Sequence, residues 1–315
     1  MEKVIKGDLK IKTLRKWHQR PTMSDTAVWH CMMMPGVLFT IIFSYLPMFG
    51  IVMAFQKFNP MKGFIKSTFI GLDNFKYVFN LPGFYDALWN TLYISSLKII
   101  FGLIVPLVMA LLLNEVVHKK FKKHVQTAIF LPYFLSWVIL GGVIQTMFAL
   151  DGPINQLLNT FGIESIMFLL DNKWFPIVLV ITDVWKGMGY NMIVFLASIT
   201  SIDQSLYEAA AIDGASRWQC VTNITLPTMK PIIILLTVLS LGSLLNAGFD
   251  QVFMLYSPIV YESGDIIDTF VYRLGLLDRQ YSPSAAVGLF KSIVTLILVS
   301  ISYYTAYKVS DYRIF

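Results

Sequence analysis

Residues Glu208 to Pro227 read EAAAIDGASRWQCVTNITLP and form a polar loop between two strongly apolar segments. Ser205 is expected to cap a helix whose first turn carries Glu208, where an anion suits the helix dipole. The alanines at 209–211 favour helix and have small side chains, so another protein can approach this backbone closely. Gly214 permits the left-handed conformation that ends a helix. The loop is therefore predicted to begin with a short, approachable helix.

A second short helix is predicted after the bend at Gly214, over about residues 218–226. It is expected to end before Pro227, and Pro231 is expected to begin the next apolar segment. Taken together, residues 204–227 are predicted to form two short helices that project from one face of a membrane. From these residues alone, an ordinary interfacial helix–turn–helix remains an alternative.

Composition indicates an all-α integral membrane protein. Hydrophobic residues make up 56% of the 315 residues, charged residues 14%, and the mean hydropathy is +0.63. A soluble domain carries about 25% charged residues, and lipid admits only helices and closed barrels. The first apolar window is too long for a cleavable signal peptide and lacks a small-residue cleavage site. Windows of about twenty apolar residues predict six transmembrane helices, at roughly 33–56, 90–113, 127–149, 175–199, 232–256 and 284–308.

The placement of lysine and arginine predicts that both termini are cytoplasmic. With the N-terminus inside, fifteen of the 25 basic residues fall in cytoplasmic segments, seven fall in external segments, and three lie within spans. This orientation also places residues 204–227 on the cytoplasmic side. Residues 1–30 form a basic N-terminal segment that is expected to lie on anionic headgroups, and residues 31–315 form the six-helix domain. The net charge of +6 therefore reflects membrane orientation rather than nucleic-acid binding.

Several kinds of site are not predicted for this chain. The sequence contains no G-x-x-x-x-G-K-[ST] loop, so we expect no ATP site, and a separate subunit must supply the energy. No metal-ligand spacing is present, and Cys31 and Cys220 are predicted at the cytoplasmic face, where no disulfide is expected. We therefore expect no cofactor, no metal and no enzymatic activity of its own.

Five ionisable residues fall within the predicted spans: Lys98, Asp183, Lys186, Asp250 and Lys291. Each is costly in lipid and should face protein or water. With the N-terminus inside, all five lie between the outer surface and the midplane, which predicts a polar cavity that opens outward. Asp183 and Lys186 lie three residues apart on one helix and can pair. A structural ion pair and a role in the cavity are equally compatible with this spacing.

Lys98 and Lys291 have no partner close in the sequence. An unpaired ammonium in a span needs an anion or water, so an acidic ligand that passes through the cavity could serve as the partner. The alternative is that both side chains extend toward the outer headgroups. The sequence leaves both interpretations open.

Two predicted spans also carry side chains that suit sugars. Trp185, Tyr190 and Asn191 lie on span four, and Asn246 lies with Asp250 on span five. Aromatic faces stack on sugar rings, while amides and carboxylates take hydroxyl groups. These residues are candidates for a substrate pathway, and helix–helix packing is the alternative for each of them.

The loop resembles the EAA signature of the membrane-spanning subunits of binding-protein-dependent ABC importers. Its fixed positions are all filled at the expected spacing: Glu208, Ala209, Ala210, Gly214, Ile224, Leu226 and Pro227. The run Ile70-Gly71-Leu72-Asp73-Asn74-Phe75 and residues 185–197 are similar to the carbohydrate-uptake branch. Within that branch, the chain resembles the maltose-system first permease and the permeases for aldouronates and other complex oligosaccharides, from about residue 30 to the end.

This resemblance implies a permease subunit in a bacterial inner membrane that passes an oligosaccharide into the cytoplasm. The loop at 204–227 would be the coupling helix that docks on an ATP-hydrolysing subunit. The implied partners are a second, different permease, two ATPase subunits that bind ATP and Mg, and an extracellular or periplasmic solute-binding protein.

Two other functional classes are weighed against this interpretation. An ion-coupled secondary sugar transporter would use Asp183 and Asp250 as ion sites, but it has no use for an EAA loop. A membrane enzyme acting on lipid-linked sugars would need acidic or histidine residues that converge at a membrane face, and the sequence clusters none there.

Overall fold

The structure is a computed structural model that describes the backbone of residues 23–310 and the side chains of 26–304 and Lys308. Most of the basic segment at 1–30 and the last five residues of the chain lie outside the described residues. The described part divides into two compact units, with the boundary between Gly50 and Ile51.

Helices account for most of the described chain. In order they are α1 (Met23–Thr40), α2 (Leu46–Met48), α3 (Gly63–Lys66), α4 (Asp73–Phe79), α5 (Phe84–Asn114), α6 (Lys119–Phe130), α7 (Trp137–Met147), α8 (Pro153–Thr160), α9 (Phe175–Thr200), α10 (Gln204–Ile212), α11 (Arg217–Cys220), α12 (Leu226–Leu241), α13 (Phe249–Leu255), α14 (Tyr261–Gly264), α15 (Ile267–Tyr272) and α16 (Tyr281–Ser310). Turns of π-helix occupy Ile41–Tyr45, Val221–Thr225 and Arg273–Leu277, and turns of 3-10 helix occupy Phe49–Phe55, Leu131–Phe134 and Pro258–Val260. Two short strands, β1 (Gln56–Lys57) and β2 (Thr68–Phe69), pair antiparallel.

The described residues of the first unit are helical and mostly apolar. Every residue from 26 to 49 is exposed within the chain, including Trp29, Phe39 and Phe49. A helix that is hydrophobic all round suits a membrane span.

The described residues contain five or six candidate membrane spans, depending on whether one sharply bent helix pair counts as a single span. Five helical stretches are long and apolar enough to cross a bilayer: Thr26–Phe55, Phe84–Asn114, Phe175–Thr200, Arg217–Leu241 and Tyr281–Tyr304. The sixth candidate is the pair Lys119–Phe134 and Trp137–Met147, between which the chain bends by 107°. We call this pair span three. The predicted all-α membrane fold is therefore correct, and the break in span three was not foreseen.

Span five lies earlier in the chain than predicted. It runs from Arg217 to Leu241 instead of 232–256, so the helix does not end before Pro227. The π turn at Val221–Thr225 comes directly before this proline, and such a turn is one way for a helix to absorb a local disruption. Apolar composition alone could not show this, because residues 217–231 mix polar with apolar side chains and contain two prolines.

Helices α5 and α9 form the most extensive helix pair of the second unit. Three clusters of buried apolar side chains surround this pair, and α5 contributes to all three. The first cluster, around Phe175, joins α5 and α9 to α7 and α13. The second, around Phe84, joins α5 to α4, α15 and α16, and the third, around Phe195, joins α5 and α9 to α12. Because lipid is as apolar as these side chains, close packing stabilises the arrangement.

Candidate functional site

Helix α10 begins directly after Asp203, whose carboxylate accepts the backbone N–H of Ser205 at 3.0 Å. This hydrogen bond to the charged form lowers the pKa of the Asp203 carboxyl. Asp203 is therefore the N-cap, and the prediction that Ser205 caps the helix with Glu208 in its first turn is wrong. Aspartate and serine are about equally good caps, so composition could not distinguish them.

Gly214 ends α10 in the left-handed conformation, with a φ of +76°. The N–H of Ala215 donates to the carbonyl of Ala210 at 2.9 Å. The N–H of Gly214 donates to the carbonyl of Ala211 at 3.1 Å. These two hydrogen bonds form the Schellman motif that glycine commonly completes. Ser216 then caps α11 within a capping box.

The loop exposes several small residues and three large apolar ones, of which Leu206 is 48% exposed. Glu208 and Ala209 are exposed, and Ala210 is half-buried. Ile212 is 88% exposed and Trp218 is 72% exposed, although both are large and apolar. We call α10 together with Trp218 the coupling surface, a name taken from the role that we propose for it below. Such a surface on a polar loop is typical of a protein-docking site.

The other part of the EAA motif faces inward. Ile224 and Leu226 are half-buried, whereas Pro227 is exposed. Ile224 and Tyr207 pack against the third apolar cluster. Ile224 and Tyr207 therefore attach the loop to the membrane helices.

Two polar contacts reinforce this attachment. The hydroxyl of Tyr207 lies 2.8 Å from that of Thr225, which is buried. The guanidinium of Arg217 donates to the carboxylate of Glu115, at the end of α5, at 3.0 Å. The second contact is largely exposed and contributes little, so Tyr207 is the firmer link between α10 and the π turn.

A polar cavity of about 220 Å³ lies between α5, α9 and the end of α12. Its polar lining comes from Ser95 and Lys98 on α5, from Asp183 and Asn191 on α9, and from Ser240, Ser243 and Asn246 on and after α12. The cavity is only partly enclosed by this chain. We call it the polar cavity below.

Lys98 is buried beside the polar cavity and has three partners. Its ammonium donates to the carbonyl of Ala247 at 2.7 Å and to the amide oxygen of Gln251, and it lies 3.4 Å from the carboxylate of Asp183. The amide nitrogen of Gln251 in turn donates to the hydroxyl of Thr182 at 2.7 Å. This network satisfies a buried cation and joins α5, α9 and α13.

Of the nine residues predicted for a substrate pathway, four line the polar cavity together: Lys98, Asp183, Asn191 and Asn246. Ser95, Ser240 and Ser243 were missed. The hydroxyl of Ser95 is buried and has no hydrogen-bond partner among the described residues. The spacing of Ser240, Ser243 and Asn246, three residues apart in an apolar segment, is the signal that could have identified them.

The predicted pair of Asp183 with Lys186 does not form, because Asp183 pairs with Lys98. The ammonium of Lys186 instead donates to the carbonyls of Tyr133 and Leu135, at 2.9 and 2.8 Å. A spacing of three residues permits pairing but does not require it, and two carbonyls at the break in span three are available as acceptors.

Lys291 also has a partner. It pairs with Asp268 on α15. Lys98 and Lys291 are therefore both paired with carboxylates, and neither is the unpaired ammonium that an acidic ligand would have to neutralise. The partners lie far away in sequence, so local spacing could not reveal them.

The remaining candidates lie outside the polar cavity. Trp185 lines an apolar groove of about 560 Å³ between α5 and α9. Tyr190 stacks on Tyr133 with ring centroids 5.0 Å apart. Asp250 is exposed in the first turn of α13, outside the spans, where an acid suits the helix dipole. Among the described residues, no three histidine, cysteine, aspartate or glutamate side chains gather as metal ligands.

The family model of the binding-protein-dependent transport system inner membrane component matches residues 102–315. The chain belongs to this family. Protein LplB of Bacillus subtilis (strain 168) is 42% identical over 91% of this chain and 90% of its own length. The polygalacturonan/rhamnogalacturonan transport system permease protein YteP of the same organism is 41% identical over 91% of this chain and 89% of its own length.

Solved structures agree with this assignment. One chain of a bacterial ABC transporter involved in the import of the acidic polysaccharide alginate superposes with a TM-score of 0.84 and 37% identity. The match covers 91% of this chain and 97% of that chain. The predicted family is confirmed. This permease is the membrane subunit of an ABC importer, and ATP hydrolysis in such importers takes place on separate subunits.

We expect the Lys98–Asp183 pair to be energetically coupled. Asp183→Asn should lower the free energy of unfolding of the assembled complex by about 1–2 kcal/mol, a value reduced because Asp183 is 37% exposed. Lys98→Met together with Asp183→Asn should cost less than the sum of the two single changes, since no unpaired charge remains. Additive effects in a double-mutant cycle would contradict the pairing.

The exposed pair Asp73–Lys76, whose side chains are 65% and 76% exposed, provides the control. Asp73→Asn should change the free energy of unfolding by less than ~0.5 kcal/mol.

Proposed function

We propose that this permease passes an oligosaccharide through the polar cavity and that α10 couples this movement to ATP hydrolysis on a partner subunit. The observation that carries the proposal is the lining of the cavity, with three serines, two asparagines and one neutralised ion pair. Hydroxyl and amide groups suit the many hydroxyls of a sugar. The names of relatives support a carbohydrate: YteP is a polygalacturonan/rhamnogalacturonan permease, and a similar structure imports alginate.

We propose an acidic oligosaccharide as the substrate class, and this step rests on those relatives. Lys98 and Lys291 do not support it, since both are paired with carboxylates inside the chain. The polar cavity would therefore contact hydroxyl groups. The solute-binding protein and the second permease would then select acidic over neutral oligosaccharides.

A second, different permease subunit would complete the polar cavity. The cavity is only partly enclosed by this chain, and polar groups that face lipid are costly. In the family, the permease pair works with two ATPase subunits and a solute-binding protein. We infer that ATP and Mg bind to the ATPase subunits.

Coupling would run along span five. The helical stretch Arg217–Leu241 has 25 residues, or about 37 Å at the rise of an α-helix. It contains Trp218 of the coupling surface near its start, and Ser240 near its end lines the polar cavity. Docking of α10 on an ATPase subunit could therefore bias the cavity through one continuous helix, which is one physical route for a coupling free energy between two sites.

We further propose that the coupling surface is cytoplasmic and that both termini lie inside a bacterial inner membrane. The excess of lysine and arginine in the segments on that side supports this orientation. Four of these lysines lie in α6 between residues 119 and 123, next to Glu115, the partner of Arg217.

Reconstitution tests the substrate and the energy source. The complex of both permeases, two ATPase copies and the binding protein should take up a uronate oligosaccharide into proteoliposomes only when ATP is supplied. A neutral oligosaccharide of equal length serves as the comparison. Uptake driven by an ion gradient without ATP would instead support the secondary transporter.

The coupling surface is tested by Ala209→Trp. Ala209 is exposed, so the larger side chain should leave the fold intact and block the approach of the ATPase subunit. We expect uptake to fall by at least about tenfold, since a misplaced contact of this kind commonly exceeds 1.4 kcal/mol. Ala209→Ser is the matched control and should keep normal uptake. Normal uptake and normal co-purification of the ATPase with Ala209→Trp would show that α10 is not the contact.

A further inference from the structure

The break in span three exposes backbone groups inside the membrane domain. Helix α6 and the 3-10 turn Leu131–Phe134 end on one side of the break, and α7 begins on the other side. The chain bends by 107° between them. The last carbonyls of a helix accept no hydrogen bond from within the helix. Backbone groups without a hydrogen-bond partner are costly in a membrane. Leu135 and Ser136, between the two halves, are extended. The bend therefore needs hydrogen-bond donors from elsewhere.

Lys186 on α9 supplies those donors. Its ammonium donates to the carbonyl of Tyr133 at 2.9 Å and to the carbonyl of Leu135 at 2.8 Å. It also lies 5.5 Å from the ring centroid of Tyr133 and 5.6 Å from that of Trp137, within cation–π range. One cation thus contacts residues on both sides of the break.

The same stretch of α9 makes two more close contacts with the first half of span three. At Gly189, an added Cβ would lie 2.7 Å from the carbonyl oxygen of Ile129 and 2.8 Å from the Cα of Phe130. Only glycine allows this approach of two backbones. Tyr190, one residue further, stacks on Tyr133 at 5.0 Å with the rings nearly parallel. Lys186, Gly189 and Tyr190 are spaced by three and four residues, so they share one face of α9.

The second half of span three, α7, packs against α13, which lies next to the polar cavity. On α7, the amide of Gln145 donates to the carbonyl of Met254 on α13 at 2.8 Å. At Gly141, an added Cβ would lie 3.0 Å from the Cβ of Met254. Helix α13 also holds Gln251, which accepts from Lys98 in the network beside the cavity. Helix α7 therefore joins the break to the helix that contacts Lys98.

We propose that Lys186 is a positioning residue for transport: its ammonium caps the break in span three and holds α7 and α13 against the polar cavity. Lys186 does not line that cavity, so it is not a substrate ligand. Loss of the cap would free α7 to change its angle and would disturb the cavity from outside. The transport part of this proposal rests on the proposed function, whereas the capping part does not.

The test uses the assembled complex with Cys31 and Cys220 replaced by serine and spin labels at Lys120 and Met147, both exposed. The labels lie on opposite sides of the break, so their distance distribution reports its angle. Three variants are compared: Lys186→Arg, which keeps a cation with several donors, Lys186→Gln, which keeps a neutral donor, and Lys186→Met, which keeps only the length.

We expect the parent and Lys186→Arg to give the same narrow distribution, Lys186→Gln a broader one, and Lys186→Met the broadest and most shifted one. The maximal rate of uptake should follow the same order and fall at least about tenfold in Lys186→Met, because charge-assisted hydrogen bonds are lost. The apparent KM should stay within about twofold, since no substrate contact is removed. Lys173→Met, at the start of the same helix region, is the control and should match the parent.

A parent-like distance distribution in Lys186→Met would overturn the proposal, and so would a raised KM with an unchanged distribution, which would indicate a substrate ligand. If Lys186→Met does not assemble, the comparison of arginine with glutamine decides, and equal distributions would overturn the proposal. Absence of ATP-driven sugar uptake in the parent complex would reject the proposed function alone, because the distances still report the cap.

Discussion

A lysine side chain inside a membrane domain needs acceptors within the protein, and Lys98 finds them on two other parts of the chain. Its contacts with Asp183 on α9, with the carbonyl of Ala247 and with Gln251 on α13 hold these elements against α5. The polar cavity lies beside this contact, and its position follows from it. Because lipid offers no competing polar partner, such a network is a strong constraint on how the helices meet. Lys291 shows the same behaviour, since it pairs with Asp268.

The second structural constraint concerns how a loop at one membrane face can affect a cavity within the membrane. Span five joins the two regions, because its helix begins in the EAA loop and continues through Pro227 and Pro231 to Leu241. The hydroxyl contact of Tyr207 with Thr225 fixes α10 to the start of this helix. A partner docked on the loop would therefore act on a helix that itself reaches the polar cavity, so that its movement need not pass through other helices. The exposed apolar residues of the coupling surface supply a place for that partner.

The local sequence pattern predicted most of the membrane helices and the EAA loop, but it could not predict contacts between side chains on different helices. The candidate spans and the EAA loop follow from runs of apolar residues and from fixed spacing. The cap at Asp203 and the continuation of helix past Pro227 were predicted wrongly, because Ser205 is an equally good cap and a π turn has no sequence signature that we could use. The partner of Lys186 was also predicted wrongly, and the pairing of Lys98 with Asp183 was not foreseen. Sequence spacing measures distance along one helix, whereas these contacts join separate helices.

The central claim is that the polar cavity takes the hydroxyl groups of an oligosaccharide. Electron cryomicroscopy of the complete transporter, with its binding protein, oligosaccharide and a non-hydrolysable ATP analogue, tests it most directly. We predict sugar density within hydrogen-bond distance of Asn191, Ser243 and Asn246. Sugar density that contacts only the second permease, with these three side chains packed against protein, would contradict the account.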